Sequence, residues 1–134
     1  MSSTPHLDLT LLEDRLSVCR LATTEDPPLW ALAASGFCSL TRTADEWSVV
    51  CREDAVPGGV QCEPGWRIFQ VAGPLEFSLA GILASIAGPL ADAGVSIFAL
   101  STYDTDYVMV KARNAAAAAR VLAGAGHCVR VTPD

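Results

Sequence analysis

The chain has 134 residues, enough for one ordinary domain or for two very small ones sharing a core. About half of it is apolar (51%), yet no run approaches the ~20 uninterrupted apolar residues of a bilayer-crossing helix, which excludes a membrane span. The net charge is -6 and the nine Lys and Arg residues are scattered singly, so no basic stripe is available to neutralise phosphates and nucleic acid is excluded as a partner.

In chain order, Met1 to His6 carries neither the basic nor the apolar segment of a secretory signal, so a cytoplasmic location is expected. Leu16 to Leu21 reads as a strand, broken by Glu25-Asp26-Pro27-Pro28. Leu29 to Ala34 offers barely a turn or two of helix. Phe37 to Arg42 and Trp47 to Arg52 alternate in character and form a hairpin around Thr43 to Glu46. The loop Val56 to Val60 then leads through Glu63-Pro64-Gly65 into a strand over Arg67 to Ala72, closed by Gly73-Pro74. Leu79, Ile82, Leu83, Ile86 and Leu90 recur at three- and four-residue intervals, the apolar stripe of a core-facing helix. Ser78 is the candidate N-cap and Gly94 the candidate C′ residue, while Pro89 is expected to kink or shorten the last turn. Val95 to Leu100 reads as a buried strand, Ser101 to Asp106 as a polar connection and Tyr107 to Lys111 as another strand. Asn114 can cap a helix through Ala115 to Ala119 that ends at Gly124 or Gly126, and His127 to Val131 is the last strand.

The second half is therefore β-α-β-β-α-β in about 65 residues, the split arrangement in which two helices cover one face of a four-stranded antiparallel sheet. The first half looks like a reduced version of the same unit. The fold class is α+β, two ferredoxin-like domains at residues 7–65 and 66–134.

Five cysteines (Cys19, Cys38, Cys51, Cys62, Cys128) at wide, irregular spacing, without a Cys-x-x-Cys pair, argue against a disulfide framework and a zinc knuckle; most are expected as buried thiols in strands. His6 and His127 lie in no nucleophile motif, and there is no Gly-x-Ser-x-Gly, phosphate loop or dinucleotide fingerprint. Catalysis is not expected, nor is a cofactor.

Residues 73 to 110, and above all Ser101-Thr102-Tyr103-Asp104-Thr105-Asp106-Tyr107, resemble the bacterial ACT proteins related to the eukaryotic cytosolic arginine sensors (the CASTOR family) and to the regulatory domains of aspartate kinases. Ser17 to Leu21 and Trp47 to Cys51 resemble the N-terminal half of that group. The resemblance implies a tandem ACT pair binding a free amino acid at a domain interface, with regulation rather than catalysis as the output. A homodimer through ACT sheet edges or helices and a protein target of regulation are further implied. A ligand-free interaction module, the detached regulatory subunit of an amino-acid metabolic enzyme, is the alternative.

The residues themselves offer what a zwitterion needs. Ser78, Leu79, Ala80, Gly81 and Ile82 present helix-start amides at the positive end of a dipole, suited to an α-carboxylate. The plainer reading makes Ser78 a cap and Gly81 a packing concession. Asp104 and Asp106, two apart, share a side in an extended segment and can meet an ammonium or guanidinium; they read equally as turn residues with solvated carboxylates. A metal on this pair would need more oxygen ligands than two. Ser101, Thr102 and Thr105 supply hydroxyls, and Tyr103 and Tyr107 can line a cavity, Tyr107 more often as core.

Overall fold

The computed structural model describes residues 5–75 and 80–132. In chain order it holds β1 (Asp8–Leu11), β2 (Leu16–Leu21), α1 (Leu29–Ala33), β3 (Ser39–Arg42), β4 (Trp47–Arg52), β5 (Gln61–Val71), α2 (Ile82–Asp92), β6 (Phe98–Ser101), β7 (Asp106–Lys111), α3 (Ala115–Gly124) and β8 (Cys128–Val131). No described helix is long and apolar enough to cross a membrane. Two compact units emerge: Asp14 to Trp66, and the segment up to Glu13 together with Arg67 onward. Residues 7–13 thus fall with the second half of the chain, whereas the boundaries expected from the sequence assign them to the first. The reason is β1, whose Leu9 and Leu11 pair with Val71 and Phe69 of β5 on one side and with Val129 and Val131 of β8 on the other.

In the unit spanning 14–66 the strand order is β3-β4-β2, with the first part of β5 beyond β2. β2 pairs antiparallel with β4 from Leu16 opposite Arg52 to Leu21 opposite Trp47. Glu63-Pro64-Gly65, expected as loop, lies inside β5: Leu16 faces Trp66 while Val18 faces Glu63, so β5 carries one extra residue there and bulges. A bulge tolerates a proline because the ladder is already interrupted. Cys19 and Leu21 of β2 join Val49 and Cys51 of β4 and Ala31 of α1 in one buried cluster, with Trp30 and Trp47 packed against it. The β3–β4 turn is held by Thr43, whose hydroxyl accepts from the amides of Asp45 and Glu46 at 3.1 Å. Burial is narrower than expected for the thiols. Cys19 and Cys51 are buried, Cys38 is half-buried, and Cys62 and Cys128 are exposed. Desolvation, reinforced by neighbouring Cys19 and Cys38, pushes the Cys51 thiol up to about 12.

In the other unit, β5-α2-β6-β7-α3-β8 follows the expected split order. The sheet is broader than four strands. β1 lies between β5 and β8, antiparallel to the former and parallel to the latter, giving β6-β7-β5-β1-β8. Alternate residues Leu7, Leu9, Leu11, Phe69, Val71, Val108 and Val110 form one buried face, closed by Ile82, Ile86 and Leu90 of α2 and Ala115, Ala118 and Leu122 of α3. The alanine run lets α3 sit close on that face. β6, expected as buried, is a half-exposed edge strand and begins only at Phe98.

Both helices close with paired backbone bonds of the Schellman type: Gly94 N–H donates to Ala91 O and Val95 N–H to Leu90 O, and Gly126 N–H donates to Ala123 O and His127 N–H to Leu122 O. Pro89 does not shorten α2, which runs on to Asp92. Proline removes the amide that would serve the Ser85 carbonyl, and the ring of His127 takes its place, with Nε2 2.9 Å from Ser85 O. Leu7 N–H donates to Nδ1 of the same ring at 3.1 Å, which makes Nε2 the protonated nitrogen and the imidazole a buried strut between β1, α2 and β8.

Candidate functional site

The sequence singles out two segments far apart in the chain, and both border one open cleft of about 370 Å³. The first is the start of α2. Gly81 stands at the N-cap with φ +81°, a left-handed conformation in which a side chain is strained, and among the described residues no heavy atom beyond its chain neighbours comes within 4 Å of where its Cβ would be. Ser85 N–H donates to Gly81 O, so the amides of the first turn have no carbonyl partner within the helix. Ala80 is exposed and does not line the cleft; Ser78 and Leu79, including the expected N-cap, lie outside the described residues.

The second is the connection between β6 and β7. It is a tight turn rather than the extended segment that would put Asp104 and Asp106 on one side. Thr102 N–H donates to Thr105 O at 2.8 Å, and the Thr102 hydroxyl spans the same two residues. Buried Thr105 donates its hydroxyl to Val71 O at 2.7 Å, tying the turn to β5. Leu75 N–H donates to Asp104 O at 2.7 Å. A Cβ on Gly73 would stand 2.9 Å from Asp104 O and 3.0 Å from Thr105 Cβ, so the turn can lie this close only over a glycine.

Asp106 opens β7 opposite Ser101, whose hydroxyl donates to Asp106 Oδ1 at 2.7 Å. Asp104 is exposed on the turn, and Tyr103, 81% exposed, flanks the mouth. Tyr107 stays out of the cleft, half-buried, its hydroxyl accepting from Gln70 Nε2 at 3.4 Å. Sequence reasoning missed Leu75 and Leu83, which supply apolar wall together with Ile82. Neither carries a chemical signature; the nearest sequence signal is Gly73-Pro74, which bends the chain after β5 toward the turn.

The arrangement can therefore oppose a helix-start array of amides, suited to an anion, to a wall of hydroxyls and carboxylates, suited to a cation. No Lys, Arg or His is among the described lining residues. Among the described residues no group of three or more His, Cys, Asp or Glu could hold a metal ion.

A family model described as ACT domain matches residues 61–124, and a second model, described as an N-terminal domain, matches residues 14–59. An X-ray structure of a protein from Agrobacterium tumefaciens superposes with a TM-score of 0.89 at 38% identity, covering 97% of this chain and 96% of that one. The ligand-free regulatory subunit of aspartate kinase from Thermus thermophilus superposes with a TM-score of 0.63 at 16% identity over 87% of this chain and 96% of that one, a likeness of fold. The human cytosolic arginine sensor for mTORC1 subunit 1 is 46% identical over 46 residues, 34% of this chain and 14% of that protein. The chain thus spans only a small part of the length of that curated relative.

Proposed function

We propose that this chain, whose residues 61–124 match an ACT domain, is a non-catalytic regulatory protein that binds a free amino acid in the cleft between the start of α2 and the β6–β7 turn. The observation that carries the reading is the convergence of both segments on one cavity, whose volume falls in the range of about 300–1,000 Å³ usual for small-molecule sites. The α-carboxylate faces the amides from Gly81 to Leu83; the ammonium meets Asp106, already fixed by Ser101; Leu75 and Ile82 contact the ligand's carbon chain. With Asp104 and Asp106 and no basic side chain among its described lining residues, the cleft favours a ligand with a cationic side chain, so arginine heads the panel. Since the cleft is open on one side, the ligand is held at an ACT interface, a further ACT unit in a homodimer closing over it. Binding then changes the association that a protein target reads.

The test is a melting screen against the twenty amino acids, each at about 100 times the dissociation constant sought, where a bound ligand stabilises the native state by about 2.7 kcal/mol and raises Tm by several degrees. Arginine or another basic amino acid gives the shift, and Asp106→Ala loses it while the Tm of the unliganded protein stays nearly unchanged. No shift with any of the twenty would sink the sensor reading and leave the ligand-free regulatory subunit in its place.

A further inference from the structure

A second cleft, of about 520 Å³, opens in the unit spanning 14–66, where the loop after β2 and α1 face the loop ahead of β5. Its walls are the ring of Trp30, Pro27 and Pro57, and its rim carries the exposed carboxylates of Glu25 and Asp26. Trp30 also packs on the buried cluster of Cys19, Leu21 and Val49, so the ring is anchored on one side and open to the cleft on the other. On the same short helix Leu29 and Leu32 are 66% and 59% exposed, and three residues apart they share a face. Thus two of the five large apolar side chains exposed among the described residues fall on a single turn beside this cleft.

We propose that this face docks a segment of a partner protein presenting an arginine or lysine anchor flanked by aliphatic side chains. The cation lies over the Trp30 ring between Glu25 and Asp26, where cation–π and ionic attraction act together. The flanking aliphatics cover Leu29 and Leu32, which a small metabolite seated in the cleft would leave in water. Charge complementarity selects the occupant. In a symmetric self-contact on this face Glu25 and Asp26 would meet the same two carboxylates, whereas a basic segment is steered in. The inference is independent of the amino-acid cleft and stands or falls without it.

The test pans a phage-displayed random dodecapeptide library on the full chain and measures the selected peptides, synthesised with a fluorophore, by anisotropy. The expected peptides carry Arg or Lys beside Leu, Ile or Val, and lose at least tenfold in affinity with Glu25→Lys/Asp26→Lys and with Leu29→Ser/Leu32→Ser, while Val131→Ser, at another exposed apolar position, binds as the parent does. All these side chains are exposed; should the charge reversal fail to fold, Glu25→Gln/Asp26→Asn gives the same reading with a smaller loss. Peptides without a basic residue, or affinities within twofold across the variants, overturn the proposal. So does n-butylguanidinium binding as tightly as the peptides and indifferent to the leucine pair. A homodimer that dissociates on Leu29→Ser/Leu32→Ser puts a second copy on the face and overturns it too.

Discussion

At Gly73 one added methyl group would meet the carbonyl of Asp104 and the side chain of Thr105 at or inside 3.0 Å, both in a turn pinned to β5 by the Thr105 hydroxyl. Gly73→Ala is therefore expected to destabilise the chain by about 1–3 kcal/mol, the usual cost of overpacking a tight contact, and to displace one wall of the cleft. Circular-dichroism melting reads the first effect and loss of the amino-acid shift the second; an unchanged Tm would mean that the turn has slack. Cys51 gives a prediction of another kind. Its folded-state pKa stands near 12 against 9.0 for an ordinary thiol, so between these values the unfolded chain has lost a proton that the folded chain keeps. The sign follows: stability is fully present below about pH 9 and falls as pH rises toward 12. Cys51→Ala should flatten the alkaline limb of a urea-denaturation series between pH 8.5 and 10.5, although it costs packing at neutral pH; parallel limbs would contradict the assignment.

Among the elements, the contact of α2 with β8 depends on an exchange of partners: Pro89 withdraws an amide from Ser85 O and His127 supplies Nε2–H instead. His127→Phe leaves that carbonyl and the Leu7 amide without this partner, and is expected to cost roughly 2–4 kcal/mol at about 1–3 kcal/mol per stranded group, less any access to water. In a Pro89→Ala background the new amide of residue 89 can reach Ser85 O, so the same histidine substitution should cost at least about 1 kcal/mol less; additive losses in this double-mutant cycle would refute the exchange. The proline was legible in the sequence, but its consequence was not, because the replacement donor comes from 42 residues away. Elements whose patterning is complete within themselves were readable. β2 occupies Leu16 to Leu21 and β4 Trp47 to Arg52, as alternation indicates, and α3 follows Asn114. Where local and long-range signals compete, the reading fails: Pro64 and Gly65 look like breakers yet lie in β5, since a bulge absorbs them. Leu7-Asp8-Leu9-Thr10-Leu11 alternates plainly, yet four residues of strand declare themselves only against partners at positions 69–71 and 128–131. The site shares this division. Gly81, Ser101 and Asp106 could be named from their chemistry, whereas Leu75 and Leu83 contribute shape alone, and shape appears only on folding.

For the molecule as a whole, the split helical-sheet unit is not contained in the stretch from Arg67 onward, because β1 fills the place between β5 and β8. A fragment of residues 67–134 is expected to show poorly dispersed amide resonances and to sharpen into a native-like spectrum when a peptide of residues 5–13 is added in excess; a fragment that folds by itself would show β1 to be an accessory. The same insertion fixes an order of events during synthesis. Leu9 leaves the ribosome well before one of its two neighbours, Val129, which emerges 120 residues later, and at about 5–20 residues per second the strand waits several seconds or more, half-matched or unmatched. A leucine-rich segment left idle for that long is a natural target for holdase chaperones, and lengthening the chain between β1 and β2 should alter the yield of soluble protein less than slowing translation near Cys128.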